Sequence, residues 1–179
     1  MQASDILLFW FTELTDKQHF AKDAALDALI AQRFGAELKA GARCELFDWR
    51  ESPEGRLAEI IVLDQFSRNV WRDTPRAFAQ DALALALAQE LIARGDDAQL
   101  SPAQRYFAYM PYMHSESLAV HAEALRLFTA LGNANALHYE QRHQAIIQQF
   151  GRYPHRNAIL GRESTPEEIE FLQESGSGF

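Results

Sequence analysis

The chain has 179 residues, a formal net charge of −8, 47% apolar and 23% charged residues. That is the profile of a soluble globular protein with room for one substantial core. An acidic balance lacks the clustered basic surface that phosphate backbones require, so nucleic acid is not expected as a partner.

The first element, 4–12, contains the longest apolar run, Ile6 to Phe11 ("ILLFWF"). It is far too short to span a bilayer and lacks the basic start of a secretion signal, so no membrane association is expected. Cys44 is the only cysteine, which excludes an internal disulfide and fits a reduced, cytoplasmic setting.

Apolar spacing predicts further helices over 22–40, 53–71, 75–94, 102–112, 115–131, 136–150 and 166–174. Start signals are legible. "TPEE" at Thr165 is a capping box, and "SPAQ" at Ser101 repeats it. "SPEG" at Ser52 and "TPRA" at Thr74 share the opening without the acidic return. Gly41, Gly95, Gly132 and Gly151 each follow a helical run and are expected to stop it. Pro111 is expected to separate the fifth helix from the sixth. No alternating strand pattern and no rich linker is present. The expectation is a single all-α domain over 1–174, about eight helices packed as antiparallel pairs, and a flexible tail over 175–179.

Helix 53–71 is apolar nearly all round, the mark of a central buried helix. Asp64 and Arg68 share its Leu57–Ile60–Ile61 face, four residues apart with the acid first, which is the favourable order for an ion pair. A structural pair is the bland explanation, because buried charges need partners. In 115–131 the apolar face holds Leu118, Leu125, Phe128 and Leu131 with His121 at its middle, and His114 extends that stripe. In 136–150 the face holds Ala136, Tyr139, Ile146, Ile147 and Phe150, with His143 at its centre, Glu140 on its flank and His138 outward. Inward histidines serve as metal ligands or acid–base groups, but more often as hydrogen-bonded core residues. Glu140–His143 has the Glu-x-x-His spacing of di-iron bundles without the second copy those bundles need. No metal site and no cofactor is expected, and His114, His121 and His143 are the sole metal candidates.

Two stretches echo each other. Gln65–Phe78 and Gln149–Phe171 both read Gln-Phe, a small residue, Arg, and later Thr-Pro before a Phe. A decayed duplication of a helical pair and a chance likeness of two helix junctions both explain this. The basic residues are lopsided, 14 Arg to 3 Lys. Arginine suits two-pronged binding of carboxylate or phosphate, although an Ala- and Arg-rich genome accounts for the bias as well.

The stretches "LDQFSRN", "TPRAFAQDALAL", "YMPYMHSE", "FGRYPHRNAILGRESTPEEIEFL" and the opening "ILLFWF" together resemble the domain-of-unknown-function family 924, in order and over essentially the whole chain. The resemblance implies an all-helical fold similar to tetratricopeptide-repeat superhelices and carries no known activity. The family's characteristic stretches fall on Asp64, Gln65, Arg68, Asn69, His114, Glu116, Arg152, His155, Arg156, Asn157 and Arg162. Three functions follow as expectations. A binding module would hold a small anionic ligand or acidic peptide through Arg68, Asn69, Arg152, Arg156, Asn157 and Arg162. A small-molecule hydrolase would use Asp64, His114, Glu116 and His155 as acid–base groups. A structural cluster would spend the same side chains on packing. Oligomeric state is not readable.

Overall fold

In the computed structural model, residues 1–174 and 176–178 are described. The chain is all-α, with no strand among the described residues. In order come α1 (Ala3–Leu8), a π-helical turn (Phe9–Glu13), α2 (Asp16–Phe20), α3 (Ala24–Gly41), a 3-10 turn (Phe47–Glu51) and α4 (Pro53–Ile60). A second π-helical turn (Ile61–Phe66), α5 (Ser67–Val70), α6 (Asp81–Ala93), α7 (Pro102–Met113) and α8 (Leu118–Leu131) follow. The chain ends with α9 (Ala134–Phe150), a 3-10 turn (Pro154–Arg156), α10 (Asn157–Leu160) and α11 (Pro166–Phe171). None of the helices among the described residues is long and apolar enough to cross a membrane. The expected tail over 175–179 includes Ser175 and Phe179, which lie outside the described residues.

The described chain forms two compact units. One comprises Met1–Arg72 and Arg76–Pro111, the other Asp73–Pro75 and the chain from Tyr112 onward. Neither boundary is marked by a linker in the sequence.

In the first unit, residues 55–67 are all buried, as the apolar wheel of 53–71 predicts. The rod is not uniform, however: its centre is the Ile61–Phe66 π turn. The other π turn lies against it, for Phe9 and Trp10 meet Phe66 edge-on at 6.1 and 5.6 Å, and Phe34 of α3 stacks on Phe66 at 5.1 Å. Ser52 caps α4 by accepting from the Gly55 N–H at 3.0 Å. Gly41 does not stop its helix by a left-handed turn. It is the last residue of α3 and is there for closeness, since a Cβ would sit 3.2 Å from Leu63 Cδ2.

Three further expectations need correction. Pro111 lies inside α7 rather than after it. It falls in the last turn, where one helical hydrogen bond is lost while residues 107–113 are all buried. The helix expected from 75 starts at Asp81, and Pro75–Ala77 is an isolated 3-10 turn. Leu118 and Tyr139 are exposed; the buried residues are His121, Ala124, Leu127 and Phe128 on α8, and Ala136, Glu140, His143, Ile146 and Ile147 on α9.

In the second unit α8 and α9 form an antiparallel hairpin across Gly132–Asn133. Gly132 takes the left-handed φ of 72° that ends α8, and Asn133 caps α9 through the Ala136 N–H. Gly151 stops α9 likewise at φ 70°. Ile146, Ile147 and Tyr153 form a buried cluster flanked by Phe150 and Phe171.

Candidate functional site

The sequence candidates divide between the units. Asp64, Arg68 and Asn69 belong to the first; His114, Glu116, His121, His143, Arg152, His155, Arg156, Asn157 and Arg162 belong to the second.

In the first unit the expected Asp64–Arg68 pair is present at 3.0 Å, with Asp64 1% exposed. The Arg68 guanidinium also forks onto Asp81, Nη1 to Oδ1 at 2.8 Å and Nη2 to Oδ2 at 2.9 Å. Gln65 Nε2 donates to the other Asp64 oxygen at 2.5 Å. A parallel pair stands beside it: Asp27 accepts from Asn69 Nδ2 at 2.8 Å and from both Nε and Nη2 of Arg72. Acids on α3 and α6 thus tie both helices to α5. Asp27 and Asp81 carry no sequence signal, since an acid in the first turn of a helix is ordinary.

In the second unit a denser network surrounds the segment after α9. Arg162 forks onto Glu116 at 2.7 and 2.9 Å, and its Nε donates to Asn157 Oδ1 at 3.0 Å. Its Nη2 also donates to the Tyr153 carbonyl at 3.1 Å. Arg152 forks onto Glu168 at 2.7 and 2.8 Å and reaches the Glu163 carbonyl at 2.8 Å. The capping box read at Thr165 is present, and its Glu168 carboxylate closes the ring by also accepting from Asn157 Nδ2 at 3.1 Å. Arg156 is buried, lies over the Tyr153 ring at 4.6 Å and donates to the His114 carbonyl at 3.0 Å.

Behind that ring sit the inward histidines. His121 Nδ1 is 2.6 Å from Glu140 Oε1, and Nε2 is 2.9 Å from the Ser115 carbonyl and 3.1 Å from the Tyr153 hydroxyl. His143 Nδ1 donates to the Tyr139 carbonyl at 2.8 Å. His155 lies against the Tyr153 ring with centroids 5.5 Å apart. Among the described residues no group of three or more His, Cys, Asp or Glu side chains is arranged to hold a metal ion.

The electrostatics follow from these partners. The Arg152 fork holds Glu168 down at about 2, despite burial. Burial pushes Glu116 up, but the Arg162 guanidinium and the Tyr153 N–H outweigh it and keep the carboxyl below its ordinary value. Glu116 is therefore a fixed anion at neutral pH, with no proton to give. Burial drives His143 down to about 3, so it stays neutral. Burial raises Glu140, and His121 opposes the rise.

Tyr153, like Asp27 and Asp81, is a residue that sequence reasoning missed. It is fully buried and touched by His121, His143, His155 and Arg156, yet a tyrosine between an arginine and a proline carries no pattern. The echo between Gln65 and Gln149 proves to be one of side chains, not backbone. Arg68 forks onto Asp81 in the next helix, α6, and Arg152 onto Glu168 two helices on, in α11, but Ser67 continues a helix where Gly151 ends one. Replacing Arg162 with alanine should lower stability by about 1–3 kcal/mol in denaturant unfolding, since half-buried Glu116 loses its fork. Glu116→Gln in the same background should recover part of that loss.

Three comparisons bear on the chain as a whole. A family model described as bacterial protein of unknown function (DUF924) matches residues 6–176. A solved structure described as the protein of unknown function ATU0120 from Agrobacterium tumefaciens is similar at 42% identity, over 97% of each chain, with a TM-score of 0.92. No protein among curated ones matches.

Proposed function

We propose, for a chain that belongs to the bacterial family of unknown function DUF924, that it is a binding module for a small anionic ligand or acidic peptide, received at Arg152 in the second unit. The single observation behind this reading is a cleft of about 500 Å³ lined by Gln149, Phe150, Arg152, Thr165, Glu167 and Glu168. Arg152 spends Nε and Nη2 on Glu168 and the Glu163 carbonyl, while Nη1 has no hydrogen-bond partner among the described residues. Its side chain keeps 29% of its surface in solvent. A carboxylate or phosphate oxygen fits that open donor, with Phe150 as an apolar wall.

Glu168 already offsets much of the Arg152 charge, so the affinity is weak and selective for ligands that also offer a donor to Glu167. Arg68 and Arg162 do other work: each is spent on carboxylates of its own unit and acts as a clasp. The α8–α9 hairpin supports reading the architecture as a tetratricopeptide-like array of helical pairs.

Thermal-shift titration with inorganic phosphate, citrate and an acidic peptide tests the reading. The unfolding midpoint should rise by about 3–5 °C at ten times the dissociation constant. Arg152→Gln should remove the response. No rise with any of the three at millimolar concentration would overturn it.

A further inference from the structure

The proton count around His121 follows from its neighbours. The Ser115 carbonyl, 2.9 Å from Nε2, can only accept. The Tyr153 hydroxyl, 3.1 Å from the same nitrogen, spends its hydrogen on the Met113 carbonyl at 2.5 Å. Nε2 therefore carries a hydrogen. Nδ1 and Glu140 Oε1 are 2.6 Å apart, and without a proton between them two lone pairs would face each other. The pair holds one proton. The other Glu140 oxygen is buried with no hydrogen-bond partner among the described residues, which is tolerable for the carbonyl oxygen of an acid and costly for a carboxylate.

Tyr153 is what this pair supports, and Tyr153 in turn anchors the segment after α9. Its N–H donates to Glu116 at 2.8 Å, and its carbonyl accepts from Arg162. His143 on α9 meets its ring edge-on at 5.7 Å. The other ionisable groups around His143 and Tyr153 are His121 on α8, Glu140 on α9, His114 and Glu116 between α7 and α8, and His155 and Arg156 on the 3-10 turn.

We propose that Glu140, His121 and His143 form a proton-gated latch on the segment 151–165, closed while the Glu140–His121 pair keeps its one proton and His143 has none. The latch is independent of what the Arg152 cleft binds. When the segment opens, water reaches all three groups. Above the ordinary imidazole value of about 6.5 the opened pair releases its proton, so rising pH favours opening. Below the same value opened His143 takes up a proton that buried His143 refuses, so falling pH favours opening too. The two limbs meet near pH 6.5.

Hydrogen exchange of the full chain between pH 5 and 8.5, corrected for intrinsic rates, tests this. Protection in 151–165 should peak near pH 6.5 and fall on either side, approaching tenfold per pH unit. Glu140→Gln, whose amide donates to Nδ1 without a titrating proton, should flatten the alkaline limb and keep the acid one. His143→Gln should do the reverse. Protection flat to within about threefold across the range, or an alkaline limb that survives in Glu140→Gln, would overturn the latch. Should the variants fail to fold, wild-type infrared spectra at pH 8.5 decide: a buried protonated carboxyl band or an imidazolium band supports the latch, and the absence of both sinks it.

Discussion

Alanine at Gly55 should cost the first unit about 3 kcal/mol or more, read as a fall in the denaturation midpoint. A Cβ built there lies 2.0 Å from the Trp49 carbonyl oxygen and 2.9 Å from Ser52 Oγ. Backbone cannot yield as a flexible side chain does, so the 3-10 turn Phe47–Glu51 and the start of α4 must move apart. Two further contacts go with them. Ser52 loses its cap on the Gly55 N–H, and Arg50, carried on the turn, loses its fork onto fully buried Glu59 at 2.6 Å. Gly35 in the middle of α3 is the control. Nothing lies within 4 Å of its Cβ position, so Gly35→Ala should stabilise by roughly 0.5–1 kcal/mol. Equal effects at the two glycines would show that the close approach at Gly55 is not real.

Glu168→Gln should destabilise the second unit by about 2–3 kcal/mol at pH 7, and the loss should shrink in acid. Four donors converge on this carboxylate: Nε and Nη2 of Arg152, Asn157 Nδ2 and the Thr165 N–H. Its folded value of about 2 lies below its ordinary 4.5, so its contribution is complete above pH 4.5 and is lost as pH falls from there towards 2. The partly solvated Arg152 screens the pair and keeps the figure below what the full shift implies. Acid titration of stability, monitored by far-UV circular dichroism, checks the sign. Wild type should lose stability more steeply than Glu168→Gln between pH 4.5 and 3. Parallel slopes would mean that the fork contributes nothing.

What the sequence made legible was local. Ser-Pro and Thr-Pro starts at Ser52, Ser101 and Thr165 predicted caps that are present, because a cap needs only residues three apart. The Asp64–Arg68 pair was legible for the same reason. Asp27, Asp81 and Glu168 as arginine partners were not, because they reach their guanidiniums over 13 to 45 positions. The wheel of 115–131 placed His121 inward correctly and Leu118 wrongly. Ser117 is already the cap of α8, so Leu118 opens the first turn, and it is exposed there. Tyr153 was invisible for a different reason: its role comes from side chains on α8, on α9 and on the 3-10 turn beside it, which only the fold brings together.

The paired π turns bear on what insertions the first unit will accept. Each turn holds one residue more than α-helical winding would use. Deleting that surplus residue from Ile61–Phe66 would let the stretch rewind as α-helix with the helix beyond it still in phase, whereas deleting a residue from the α-helical turns of α4 would rotate the rest of the rod by about 100° around the axis. Only the second deletion would swing Arg68 off Asp81 and Asn69 off Asp27. The π turn therefore acts as a buffer of chain length, so the stretch between Ile60 and Ser67 can lose its one surplus residue where α4 can lose none.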